Sequence, residues 1–230
     1  MRTVIFVLLF AQTLAAQTLP VALKRSFWRD SQGELSITEQ GIAFRETDKE
    51  EGRAWAYRDI QSFDRISKTE FVVLSYEDQR WKLGRDRRYH FKLTSGELTD
   101  ELFERIRDRL AKPVTNRVVA TVPLAEYELP VKHLHALGGC EGTLTFTPEA
   151  VYYSTPHEED VREWRLNEEI QSVWSADPFY LELHIYEDNR REFGRTRIYK
   201  FTLKEPLDPE FYRRLKLKLY NLDASRARTR

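Results

Sequence analysis

Apolar and polar residues alternate with period two over most of the chain, the pattern of strands that bury one face. Leu35 and Ile37 alternate with Glu34, Ser36 and Thr38, and Glu39-Gln40-Gly41 then offers a tight turn into Ile42–Glu46. Further strands are expected near Arg53–Tyr57, Ile60–Ile66, Glu70–Tyr76, Arg80–Leu83 and Arg88–Leu93. The pattern recurs near Val161–Leu166, Ile170–Trp174, Phe179–Tyr186 and Ile198–Leu203. At two places the period changes to that of a helix. Thr99 is a suitable N-cap ahead of Asp100 and Glu101, and Leu102, Ile106 and Leu110 follow one turn apart. Asp208 is the second cap, Pro209 suits the first helical position, and Phe211, Leu215 and Leu219 form the second stripe.

The strand-and-helix series is written twice. Tyr76–Leu93 returns as Tyr186–Leu203 at a spacing of 110 residues, with ten of eighteen paired positions identical. Leu19-Pro20-Val21 answers Leu129-Pro130-Val131, Trp55 answers Trp164, and Ile60-Gln61-Ser62 answers Ile170-Gln171-Ser172. A tandem duplication is the simplest origin. The division expected is a leader at 1–16, a first domain at 17–112, a linker at 113–128, a second domain at 129–221 and a disordered basic tail at 222–230. Within the linker, bounded by Pro113 and Pro123, the run Val118–Val122 is a candidate extra strand.

About seven short strands closed by one helix is a restrictive pattern. Through Trp55-x-Tyr57-x-x-Ile60-Gln61-Ser62, the Arg88–Leu93 strand and the capped helix after it, with their second-copy partners, the chain resembles the bacterial pleckstrin-homology-like (PH-like) and GRAM-like domains. That resemblance implies a mainly β protein with C-terminal helices: two tandem domains, each a seven-stranded bent sheet or partly open barrel capped by its helix. A β-sandwich or lipocalin-like barrel is the alternative. Phosphoinositide-binding members of the family recruit Lys and Arg from the loop between their first two strands. Reading those loops as Glu39-Gln40-Gly41 and Pro148-Glu149-Ala150, both short and without basic residues, gives that activity no support.

Composition narrows the setting. Met1-Arg2, the apolar Val4–Phe10 and the small Ala15 and Ala16 have the order of a secretory signal, too short to span a bilayer. A periplasmic or secreted protein with no integral membrane segment after cleavage is therefore expected. Cys140 is the single cysteine, so folding rests on burial rather than on an internal disulfide. Thirty-seven basic residues balance thirty-seven acidic ones, which argues against a general nucleic-acid binder.

Three clusters are candidates for chemistry. Arg85 and Arg87, matched by Arg195 and Arg197, share parity with the presumed core face and could grip a carboxylate or phosphate at a barrel mouth. The bland alternatives are a bulge that sends them to solvent, or pairing with Glu77, Asp78, Glu187 and Asp188. His133 and His135, at i and i+2, project to one face of a strand, and Cys140 could complete a metal site. In copy one the same places hold Leu23, Arg25 and Ser31. The acidic segments Asp48-Lys49-Glu50-Glu51 and Glu158-Glu159-Asp160 lack the spacing of a calcium loop and read as solvated hairpin tips. No nucleophile elbow, phosphate loop or HExxH occurs. The expectation is a non-enzymatic binding or scaffold protein without cofactor, taking a protein or peptide partner. A carrier of a small anion or lipid is the second reading, and a metal or thiol site the third.

Overall fold

The computed structural model describes residues 17–25, 29–47, 52–79, 85–110, 112–119, 121–166, 168–188 and 196–227, with side chains as far as Tyr220. The expected leader, the strand near Arg80–Leu83, Arg195 and the acidic segment 48–51 lie outside them. The chain runs β1 (Gln17–Leu23), β2 (Ser31–Ile37), β3 (Gly41–Glu46), β4 (Gly52–Ala56), β5 (Ile60–Arg65), β6 (Glu70–Asp78), β7 (Asp86–Leu93) and α1 (Asp100–Leu110). After β8 (Val114–Asn116) come β9 (Tyr127–Leu134), β10 (Gly139–Phe146), β11 (Ala150–Ser154), β12 (Arg162–Arg165), β13 (Ile170–Trp174), β14 (Tyr180–Asp188), β15 (Thr196–Leu203) and α2 (Pro209–Ala227).

The protein is mainly β with two helices, as the periodicities predict. The helix starts follow the expected caps: Thr99 Oγ1 accepts from the Leu102 amide and Asp208 Oδ1 from the Glu210 amide. Both helical stripes are buried. Two apolar cores form, one around Trp55, Phe71, Phe91 and Phe103, the other around Trp164, Phe146, Tyr199 and Phe201.

Three expectations need correction. First, β1 precedes the strand read as the first, so Glu39-Gln40-Gly41 joins the second and third strands, and the first loop carries Lys24 and Arg25. The disguise is Pro20, which sits inside β1 opposite Glu34, as Pro130 sits inside β9 opposite Thr143. Those two basic side chains meet the protein's own carboxylates, Lys24 on Glu70 at 3.2 Å and Arg25 on Glu46 at 3.1 Å. Second, the linker is not a free connection. Val114–Asn116, rather than Val118–Val122, is the extra strand, and it joins everything into one fifteen-stranded sheet ordered 13-14-15-9-10-11-12-8-5-6-7-1-2-3-4. Third, α2 continues to Ala227, through most of the stretch expected to be a disordered tail.

The role of β8 is specific. It lies parallel to β5, with Val114 opposite Phe63 and Asn116 opposite Arg65, and meets β12 where Asn116 faces Glu163. Beside it a buried ionic cluster ties the two halves. The Arg107 guanidinium, on α1, reaches Glu163 at 2.9 Å and Glu169 at 3.1 Å, with Glu104 at 3.2 Å. Arg165 extends the cluster to Glu104, Asp108 and Glu168. Burial disfavours the Arg107 charge, but Glu169, Glu163 and Glu104 outweigh it and raise its pKa. Complete burial pushes Glu169 up to about 8, against the pull of Arg107 and the Arg165 amide.

Candidate functional site

Each half carries the same polar group at one end of its core. In the first, Glu77 accepts from the Trp55 indole at 2.7 Å and the Tyr89 hydroxyl at 2.5 Å, with Arg53 and Arg87 at 3.5 and 3.9 Å. In the second, Glu187 accepts from Trp164 at 3.1 Å, Tyr199 at 2.7 Å and Arg197 at 3.4 Å. Indole, phenol and guanidinium donors converging on one carboxylate satisfy it without water. Burial acts to raise Glu77, but hydrogen bonds from Tyr89 and Trp55 and the two arginine charges hold it below the ordinary glutamate value.

This settles where the arginines go. Arg87 lies over the Tyr89 ring and Arg197 over the Tyr199 ring, each turned to its own glutamate. Arg85 is exposed. Arg87 and Arg197 therefore meet internal carboxylates instead of opening onto a shared anion site. The parity argument placed them on the correct face, and Glu77 and Glu187 then took the guanidinium groups.

The histidines do come together, with a third residue that the sequence did not single out. His133 and His135 stand at alternate positions of β9 and its end, and their rings pack edge to face with centroids 4.4 Å apart. Glu158–Asp160 forms a single 3-10 turn that carries Asp160 inward to 6% exposure, correcting the solvated-tip expectation. Asp160 Oδ2 lies 2.8 Å from His133 Nδ1 and 3.2 Å from His135 Nε2. Cys140 is opposite His133 in the β9–β10 ladder, but the group of converging donor atoms is His133, His135 and Asp160, without the thiol that the sequence offered as third ligand. Burial raises the thiol's pKa first, and the Asp160 and Glu159 charges raise it further, so the thiol form is favoured. The one signal for Asp160 in the sequence was the acidic segment Glu158-Glu159-Asp160, which named no particular carboxylate and lies well away from the HxH pair along the chain.

The ladder register is alike in the two halves at this point. His133 pairs with Phe201 and Cys140, and Leu23 pairs with Phe91 and Ser31. An imidazole thus occupies a place that the first half fills with a core leucine.

Burial acts to raise Asp160, but the hydrogen bond and charge of His133, then His135 and Arg162, hold it below its ordinary 3.8. A carboxyl depressed in the folded state adds stability that is present above the unfolded value and lost as pH falls through the folded one. Asp160→Asn is therefore expected to flatten the acid limb of stability below pH ~4, read as the urea midpoint against pH. An unchanged limb would show that the His133 pairing has no energetic weight.

A second feature is the outer edge of the sheet. Among the described residues no strand pairs with the free side of β13, and Trp174 at its end is 49% exposed. α2 packs beside it. The corresponding edge of the first half is β5, the strand that β8 covers.

Neither the protein-family models nor the curated proteins compared with this sequence match it. Among solved structures, the C-terminal domain of an unknown protein from Leishmania infantum is similar at 14% identity, covering 42% of this chain and 83% of that one, with a TM-score of 0.31. The Spt16D Pob3N heterodimer is similar at 10% identity, covering 83% of this chain and 97% of that one, with a TM-score of 0.29. No helix among the described residues is long and apolar enough to cross a membrane.

Proposed function

We propose that the chain is a tandem pair of PH-like modules that binds an extended peptide segment of a partner protein along β13, without catalysis. The observation that carries this reading is β8. In the sheet order, β5-β6-β7-β1-β2-β3-β4 and β13-β14-β15-β9-β10-β11-β12 are the same series, so β5 and β13 are equivalent edges. On β5 an extended segment has added itself as a strand. The Phe63 amide donates to Pro113 O at 3.2 Å, the Arg117 amide donates to Arg65 O at 3.0 Å, and Val114 is buried in the first core. Backbone bonds give such strand addition its affinity and alternate side chains its selectivity.

The expected ligand follows from that template. It lies parallel to β13, bonds to the backbone of Val173 and Ser175, the equivalents of Phe63 and Arg65, and presses an apolar β-branched side chain onto Val173. Asp64, which holds Arg117 at 2.9 Å in the first half, is replaced at the equivalent place by Trp174. An aromatic or aliphatic ligand residue is therefore preferred where β8 carries arginine. The leader-like order of residues 1–16 supports an exported setting, and the anion-carrier reading loses ground because Arg87 and Arg197 meet Glu77 and Glu187.

The test is selection from a displayed random-peptide library on the whole chain. Alternating β-branched and aromatic peptides should be enriched, and Trp174→Asp should weaken the best of them by roughly tenfold to a hundredfold. A library that yields no such peptide, or peptides indifferent to Trp174→Asp, would sink the reading.

A further inference from the structure

The His133–His135–Asp160 cluster exceeds what a structural pair requires. A buried histidine in an aromatic core, here packed on Tyr153, Tyr199 and Phe201, is stabilised by one carboxylate. Yet a second, exposed imidazole also turns its Nε2 to the same Asp160 oxygen, although solvent could satisfy it. All three candidate donor atoms lie within 4.8 Å of one another. Tetrahedral zinc with bonds of ~2.0–2.1 Å needs donor atoms separated by ~3.3 Å. The present 2.8 and 3.2 Å from Asp160 to the two histidines are close to that spacing.

We propose that His133, His135 and Asp160 bind one zinc-class divalent metal ion in the second half of the protein, with a fourth position open to solvent beside His135. Two imidazoles and one carboxylate suit borderline ions such as Zn²⁺ and leave hard cations such as Ca²⁺ poorly served. Nearby charge is compatible. Glu158 and Glu159 add negative charge from the same 3-10 turn. The neighbouring cation, Arg162, directs Nη1 to the Glu159 and Val161 carbonyls at 2.6 and 2.7 Å and Nε to the Tyr199 hydroxyl at 3.3 Å, so these donors are engaged away from the carboxylate. The first half cannot build the site, because Leu23 and Arg25 stand at the two histidine positions. The duplicated scaffold would thus hold metal on one side only. This proposal stands independently of peptide binding at β13.

The experiment uses the whole chain without a polyhistidine tag, stripped with a chelator and titrated with zinc chloride by calorimetry, then with cobalt chloride by visible absorption. One equivalent should bind, and cobalt should give the absorption of a four-coordinate site. His135→Ala is decisive because this exposed side chain can be removed without touching the core. It should weaken zinc at least roughly 100-fold, beyond the ~10–100-fold that groups outside the coordination shell control. Asp160→Asn, similar in shape, should do the same, while Cys140→Ser should stay within about threefold of the parent. Equal affinity in the parent and His135→Ala, or no uptake by the parent, would overturn the proposal. Loss of binding in Cys140→Ser would overturn this ligand set in favour of one through the thiol.

Discussion

Arg107→Ala is expected to destabilise the protein by about 3–5 kcal/mol, the range found when one partner of a buried ion pair is removed. The guanidinium is almost wholly buried and is the shared counterion of Glu163 and Glu169, with Glu104 on its outer side. Without it, Glu169 keeps an amide donor from Arg165 at 2.7 Å but loses its charge partner in full burial. The pH dependence has a definite sign. Glu169 already has a folded value raised to about 8, and the loss of Arg107 raises it further. The folded state then holds a proton that the unfolded chain has released, so stability falls as pH rises from the unfolded glutamate value of ~4.3 through the folded one. Urea midpoints of the variant should therefore go on falling above pH ~8, where this contribution levels off in the parent. Arg107→Met with Glu169→Gln should recover part of the loss, because it removes both members of the pair. A midpoint for Arg107→Ala within error of the parent would show that the two halves are not held together here.

The second large effect is expected at the tryptophans. Trp164→Ala should cost about 3–5 kcal/mol, since Trp164 is completely buried and its removal opens a cavity. The indole also packs at a tilt against Tyr199, with centroids 4.7 Å apart, and donates to Glu187, which would be left with fewer donors in a buried place. Trp55 has the same neighbours in the first half, Tyr89 at 4.7 Å and Glu77, but Glu77 is more exposed and can recruit water. Trp55→Ala should thus cost less than Trp164→Ala, by roughly 1 kcal/mol. Because the two cores are separate clusters, hydrogen exchange should speed up mainly in β9–β15 for Trp164→Ala and in β1–β7 for Trp55→Ala. Uniform acceleration across both halves would instead mark the sheet as one cooperative unit, joined through β8 and Arg107.

Much of this is legible in the amino-acid sequence. The caps at Thr99 and Asp208, the stripes Leu102–Ile106–Leu110 and Phe211–Leu215–Leu219, and most strands follow from patterns that span a few residues. β1 escaped because Pro20 interrupts its pattern and one of its partners, β7, is remote in sequence, while β9, which carries Pro130, shows itself only around His133 and His135. The short β8 escaped for a related reason. Three residues carry too little periodicity to show, and only the open edge of β5 makes a strand of them.

The candidate site divides along the same line. That His133 and His135 share a face follows from the two-residue period of a strand, and the sequence by itself determined it. It also determined that Leu23 and Arg25 stand at the matching positions of the first half. Which carboxylate meets them was decided only by tertiary structure, because Asp160 lies 27 residues away on a turn whose inward tilt depends on the packing beneath it. The same holds for Arg107 and Glu169, 62 residues apart, and for Arg87 and Arg197, whose parity and possible pairing with Glu77 and Glu187 were readable but for which only the fold chose between that pairing and an open anion site. Local sequence sets the direction in which a side chain leaves the backbone. The charge it meets there depends on which loops and edges the fold brings opposite, and that is a property of the whole chain.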